Sequence, residues 1–176
     1  MAIAQTGNAR TTSSDRKRAR LFACAALTLA ALAGACTAPA QTLNGRVVRI
    51  HDGDTLTVLV GKERTRVRLA CVDAPEQGQA FGSRAKQELS DLAFRRNVTV
   101  VVVDRDDYGR TVGRVLAGGT DASLAMVRAG MAWHYAYHCP DARDLAEAQR
   151  EARAARRGLW ADPHPIEPSR WRRMKR

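Results

Sequence analysis

The stretch RVVRIHDGDTLTVLVGKERTRVRL, residues Arg46 to Leu69, sets three apolar runs between two turn signals. Arg46–Ile50, Thr55–Val60 and Thr65–Leu69 are rich in Val, Ile, Leu and Thr, and such branched side chains suit a pleated, half-buried surface. Asp52-Gly53 and Gly61-Lys62 fall between the runs, where tight hairpins are expected. The segment therefore reads as three strands in meander order. In the third, Val67 and Leu69 alternate with Arg66 and Arg68, so the arginines are expected to point away from the core.

Downstream the period changes. Phe81, Ala85, Leu89, Leu92 and Ala93 recur at helical spacing, which predicts a helix between Phe81 and Phe94. Asn97–Val103 reads as a largely buried strand, with Thr111–Leu116 as its partner after a polar turn. Asp121 is a natural N-cap and Gly130 a natural stop for a short helix through Leu124 and Val127. From Ala142 to Arg157 a longer helix is expected. Leu145, Ala148, Ala152, Ala155 and Leu159 make its apolar stripe, and Arg150, Arg153 and Arg157 a solvated face before Gly158 ends it. Five strands, a helix inserted after the third and about three helices in all predict an α+β fold: an OB-like five-stranded barrel over residues 41–160. Beyond Trp160, Pro163, Pro165 and Pro168 precede a basic end, so residues 161–176 are expected to form an extended tail.

Upstream, the first 40 residues read as a signal peptide: the basic run Asp15 to Arg20, the apolar run Leu21 to Ala35, and a small-x-small cleavage site at Ala38-Pro39-Ala40. The apolar run is shorter than the roughly 20 residues of a membrane-spanning helix, so no transmembrane segment is expected in the mature chain. Lipid attachment at Cys36 is a lesser alternative. Cleavage near Ala40 takes five of the 29 basic residues and one of the 18 acidic ones, so the charge falls from +11 to +7. A basic exported protein attracts polyanions. It also lives where Cys71 and Cys139 are permitted, though not required, to pair.

Three short segments concentrate acidic and guanidinium groups: Asp52-Gly53-Asp54-Thr55, then Arg68 through Asp73-Ala74-Pro75-Glu76, then Asp106-Asp107-Tyr108-Gly109-Arg110. Each alone is an ordinary turn. Together they supply what phosphodiester hydrolysis requires: hard oxygen ligands for a cation, a separate carboxylate to activate water, and two permanent cations for an anionic transition state. Oxygen donors suit Ca²⁺ or Mg²⁺ rather than Zn²⁺. The planar fork of arginine matches two phosphate oxygens at once.

In this order the three segments resemble the signature of the micrococcal nuclease (thermonuclease) family, and the likeness runs from about Leu43 to Trp160. The resemblance implies an exported Ca²⁺-dependent, sugar-nonspecific nuclease that cuts DNA and RNA to 3′-phosphate products. It implies Asp54, Asp73 and the carbonyl of Ala74 as Ca²⁺ ligands, Glu76 as general base, and Arg68 and Arg110 as stabilisers of the transition state. The pattern assigns direct ligation to the second carboxylate of this motif, so Asp52 is left as a residue that supports the ligands from behind or shapes the turn. Tyr108, Tyr135 and Tyr137 are candidates for substrate contact through phosphate or base stacking. Asp107 stands where better-known members carry lysine, and the loop Gln77 to Phe81 is shorter and less basic than theirs. Substrates would be single-stranded or accessible regions, and a monomer is the default.

Two rival readings make different demands. A noncatalytic OB-type module for single-stranded nucleic acid would have no use for clustered carboxylates that repel phosphate. An EF-hand beginning at Asp52 would need glycine where Thr57 stands. His134, His138 and Cys139 have no clear fourth zinc ligand.

Overall fold

The computed structural model describes residues 41–175. The signal-peptide reading, with Cys24, Cys36 and the cleavage point near Ala40, lies outside the described residues, as does Arg176.

The opening meander forms as β1 (Thr42–Ile50), β2 (Thr55–Val60) and β3 (Glu63–Leu69), each paired antiparallel with the next. Alternation decides which face is covered: Val67 and Leu69 are buried and Arg66 is exposed. A two-residue strand, β4 (Val72–Asp73), follows, and then α1 (Gly82–Ala93) buries Ala85, Leu89 and Ala93 against the barrel core. β5 (Asn97–Arg105) pairs antiparallel with β1, and β6 (Thr111–Ala117) antiparallel with β5. β6 also runs parallel to β3, with Val67 opposite Thr111 and Arg68 opposite Val112. That last pairing closes the five long strands into a barrel.

A short β7 (Thr120–Asp121) leads into α2 (Ala122–Arg128), where the Asp121 carboxylate accepts from the amides of Ser123 and Leu124 as the cap pattern predicts. β8 (Trp133–His134) pairs with β4, and α3 (Arg143–Ala154) packs on α2. A turn of 3-10 helix, Gly158–Ala161, brings Trp160 edge-on to Trp133 at 5.3 Å. Arg153 lies over the Trp160 ring. A disulfide joins Cys71 to Cys139, tying the end of β3 to the segment before α3.

The tail departs from expectation. It is not extended throughout, because α4 (Pro168–Met174) forms there with proline in its first turn. Proline lacks only an amide that a first turn leaves unpaired anyway, so it starts this helix instead of breaking it. Among the described residues the α-helices thus number four where about three were expected. Among the described residues no helix is long and apolar enough to cross a membrane.

Candidate active site

The β1–β2 turn places the first carboxylate. The Asp54 amide donates to Asp52 Oδ1 at 3.0 Å, an Asx-type turn that fixes the Asp54 side chain inward. Gly53 permits it: a Cβ there would meet Ala85 Cβ at 2.6 Å and Ala74 Cβ at 2.8 Å. Asp54 is only 4% exposed. Its Oδ1 accepts from the Thr55 hydroxyl at 2.8 Å, and its Oδ2 from the Ala74 amide at 3.0 Å.

Asp73, 3% exposed, is fixed by β4, which pairs with β8 so that Asp73 lies opposite Trp133. Arg68, on the outward row of β3, bridges the two acids: Nη1 reaches Asp54 Oδ2 at 2.8 Å and Nη2 reaches Asp73 Oδ1 at 3.1 Å. Nη2 also donates to the Val72 carbonyl at 3.1 Å. Burial works against the Arg68 charge, but Asp54 and Asp73 outweigh it and raise its pKa. Asp52 shows the opposite imbalance. Burial, and then the neighbouring charge of Asp54, push its carboxyl up from 3.8 to about 6.

Glu76 sits in the loop before α1, half in solvent. Its carbonyl accepts from the Gln79 amide at 2.9 Å, while its own amide donates to Gln79 Oε1 at 3.0 Å. Gly82 lets the helix start close beside it, since a Cβ there would fall 2.1 Å from the Glu76 carbonyl oxygen. Two residues that sequence patterns do not reveal complete this corner. Buried Gln79 donates from Nε2 to the Ile166 carbonyl at 2.6 Å, and Arg172 of α4 donates to Glu76 Oε1 at 2.5 Å and Asp73 Oδ2 at 3.0 Å. The one available clue was Pro168 ahead of a helix-forming run. Burial opposes the charge of Arg172 also, but its hydrogen bonds to Asp73 and Glu76 carry its pKa upward.

Arg110 ends the turn before β6, two residues ahead of Val112, the partner of Arg68. Barrel closure thus sets its turn beside β3. Its contacts are with its own turn: Nε on Asp106 Oδ2 at 2.6 Å, and the guanidinium over the Tyr108 ring at 5.5 Å. Burial would raise the Asp106 pKa, but the amide and guanidinium of Arg110 lower it. Tyr108 and Tyr137 are 84% and 86% exposed. Tyr135, partly buried, lies 4.7 Å from the His138 ring and 6.3 Å from Tyr137. His134 Nε2 bonds the Cys139 carbonyl at 2.9 Å. Asp52 also lines a groove of about 440 Å³ with Arg49, His51, Lys86 and Phe94. Burial there lowers the His51 pKa, and Arg66, Arg49 and Lys86 lower it further.

Among the described residues no three His, Cys, Asp or Glu side chains are grouped as a metal cluster. The oxygen-only pair Asp54 and Asp73 nevertheless fits a hard divalent cation. Both are buried and converge on one guanidinium, and burial together with the charge of Asp54 raises the Asp52 carboxyl beside them. Carbonyl oxygen and water would complete such a shell.

The profile of the family described as Staphylococcal nuclease homologue matches residues 66–162. The chain is 51% identical over 142 residues to a micrococcal nuclease of Shigella flexneri, covering 75% of this chain and 82% of that one. It is 47% identical over 168 residues to Protein ParB of Escherichia coli, covering 90% and 94%. With an uncharacterized endonuclease of Haemophilus influenzae it shares 48% over 132 residues, 74% of each chain.

Proposed function

The chain belongs to the staphylococcal nuclease family, and from that premise we propose an exported, Ca²⁺-dependent nuclease that hydrolyses phosphodiester bonds in DNA and RNA to 3′-phosphate products. The observation that carries the reading is the joining of Asp54 and Asp73 by Arg68, with the more exposed Glu76 beside them. Asp54 and Asp73 would hold the cation, with the Ala74 carbonyl assisting. When bound, Ca²⁺ would neutralise phosphate charge and make phosphorus easier to attack. Glu76 takes a proton from the attacking water, a role worth about 10²- to 10⁴-fold in rate. Arg68 and Arg110 donate to the oxygens on which negative charge grows, and Arg110 assists departure of the 5′-oxygen. Tyr108, Tyr135 and Tyr137 contact the strand by phosphate bonding or stacking.

The groove bearing Arg49, His51 and Lys86 supports a polyanion substrate read through its backbone. Accessible single strands suit it best, and the working unit is a monomer. Export draws support from the Cys71–Cys139 bond, since disulfides persist in oxidising compartments.

The test is cleavage of a labelled single-stranded oligonucleotide by the purified protein in Ca²⁺ or excess chelator, beside Glu76→Gln. Cation-dependent cutting that the substitution reduces by at least about 10²-fold supports the reading. Binding without cutting would replace it with a noncatalytic module.

A further inference from the structure

Among the described residues, the Glu76 carboxylate has one partner, and that partner comes from the far end of the chain. Arg172 Nη1 donates to Glu76 Oε1 at 2.5 Å, Nη2 donates to Asp73 Oδ2 at 3.0 Å, and Nη1 also lies 3.4 Å from Asp73 Oδ1. Without it, Glu76 is a long side chain on a loop, free to sample many rotamers in water. We infer that Arg172 is a positioning residue of the hydrolytic site, holding the Glu76 carboxylate at a set place beside Asp73 so that the base meets its water in one orientation. The inference rests on the reading of Glu76 as base given above.

The tail is built for this task. Gln79 grips both sides of the corner, accepting from the Glu76 amide and donating to the Ile166 carbonyl just before α4. Pro168 is buried and opens the helix, and the Trp171 amide bonds back to the Glu167 carbonyl. Position along the tail is therefore set before Arg172 makes its contacts. A guanidinium fork can bridge two carboxylates at once, which a lysine ammonium does without fixed direction.

Charge balance leaves room for a cation beside Arg172. Asp52, Asp54, Asp73 and Glu76 are four carboxylates against the two guanidiniums of Arg68 and Arg172, a surplus of two negative charges when all are ionised. One divalent ion matches that surplus. Asp73 turns Oδ1 toward Arg68 and Oδ2 toward Arg172, and each carboxylate oxygen can accept more than once. Arg172 can thus stay in place when the site is loaded.

Steady-state cleavage of a labelled single-stranded oligonucleotide by the full chain tests this, comparing wild type, Arg172→Ala, Arg172→Lys and Glu76→Gln, with calorimetric titration of Ca²⁺ into each. For Arg172→Ala the expected result is kcat lower by about 10- to 100-fold, since misplacing a reacting group by about 1 Å costs on that order, with KM little changed. Guanidinium chloride, at concentrations too low to unfold the protein, should restore part of that loss and nothing in Glu76→Gln. Lysine should rescue only in part. Ca²⁺ affinity should stay within about threefold of wild type, under 1 kcal/mol. Unchanged or raised kcat in Arg172→Ala, a lower kcat that guanidinium does not restore, or Ca²⁺ affinity raised tenfold or more would each overturn the inference. The last result would make Arg172 a competitor of the cation. Should Glu76→Gln keep full activity, it is the general-base reading itself that fails.

Discussion

Two arginine–aspartate pairings share their chemistry and differ in what they join. Arg68 joins Asp54 of the β1–β2 turn to Asp73 of β4, both acids nearly out of solvent. Arg110 joins Asp106, four residues away in its own hairpin turn. The first pairing connects parts of the fold, whereas the second shapes one loop. The two arginine side chains are about equally covered, 18% and 20% exposed, but Asp54 and Asp73 lie deeper than Asp106, and charges held farther from water depend more on their partners for stability. The same residue types should therefore fail differently when one partner is removed.

Arg68→Met should show the largest effect. It leaves two buried carboxylates short of a counter-charge, so stability should drop by about 3 kcal/mol or more in urea unfolding, and activity should be lost with it. Added Ca²⁺ should raise the melting temperature of this variant more than that of wild type. Equal shifts would show that the cation does not make up for the missing guanidinium charge. Arg110→Met should separate the two roles, lowering kcat by about 10²- to 10³-fold while stability changes by less than about 1 kcal/mol. A melting temperature falling as far as that of Arg68→Met would erase the contrast.

Next in size is the anchor of the buried end. Replacing Cys71 and Cys139 together by serine should cost about 2–4 kcal/mol, read by chemical unfolding, with the larger share of lost activity traced to Asp73 on the adjoining β4.

The smallest effect is a contrast in pH. Asp52, raised to about 6, favours the fold while protonated. Its contribution is full below 3.8 and lost as pH rises through 6. In chelator, Asp52→Asn should therefore stabilise the protein by about 1–2 kcal/mol near neutral pH and by almost nothing in acid. Asp106 is shifted down, so its contribution is present above the ordinary carboxylate range and fades as pH falls through its folded pKa. Asp106→Asn should cost stability near neutral pH and little in acid. Thermal melts across pH would detect the opposite signs, and parallel curves would refute them.

The barrel was legible because period-two and helical patterns record burial locally. Val67 and Leu69 against Arg66 and Arg68 gave the face of β3, and Asp121 gave the start of α2. β4 and β8 left no such trace, because two residues are too few for a period and their pairing depends on distant chain. The run of prolines suggested an extended tail, yet Pro168 occupies the one helical position where proline is at home. Asp54, Arg68 and Asp73 were found by motif, and the structure brings them together. Gln79 and Arg172 were missed for a physical reason: they act across 87 and 96 residues, and nothing within a short window reports a contact of that span.

The parallel pairing of β3 with β6 also has a kinetic side. Val67 and Thr111 can meet only after the chain between them has been gathered, which places this closure among the entropically slow steps of folding. Arg68 lies on one of these strands and Arg110 immediately before the other, so a chain that has folded its meander and α1 but not yet closed still holds the two guanidiniums apart. Recovery of cleavage during refolding is thus a clock for barrel closure, lagging any signal that reports secondary structure alone.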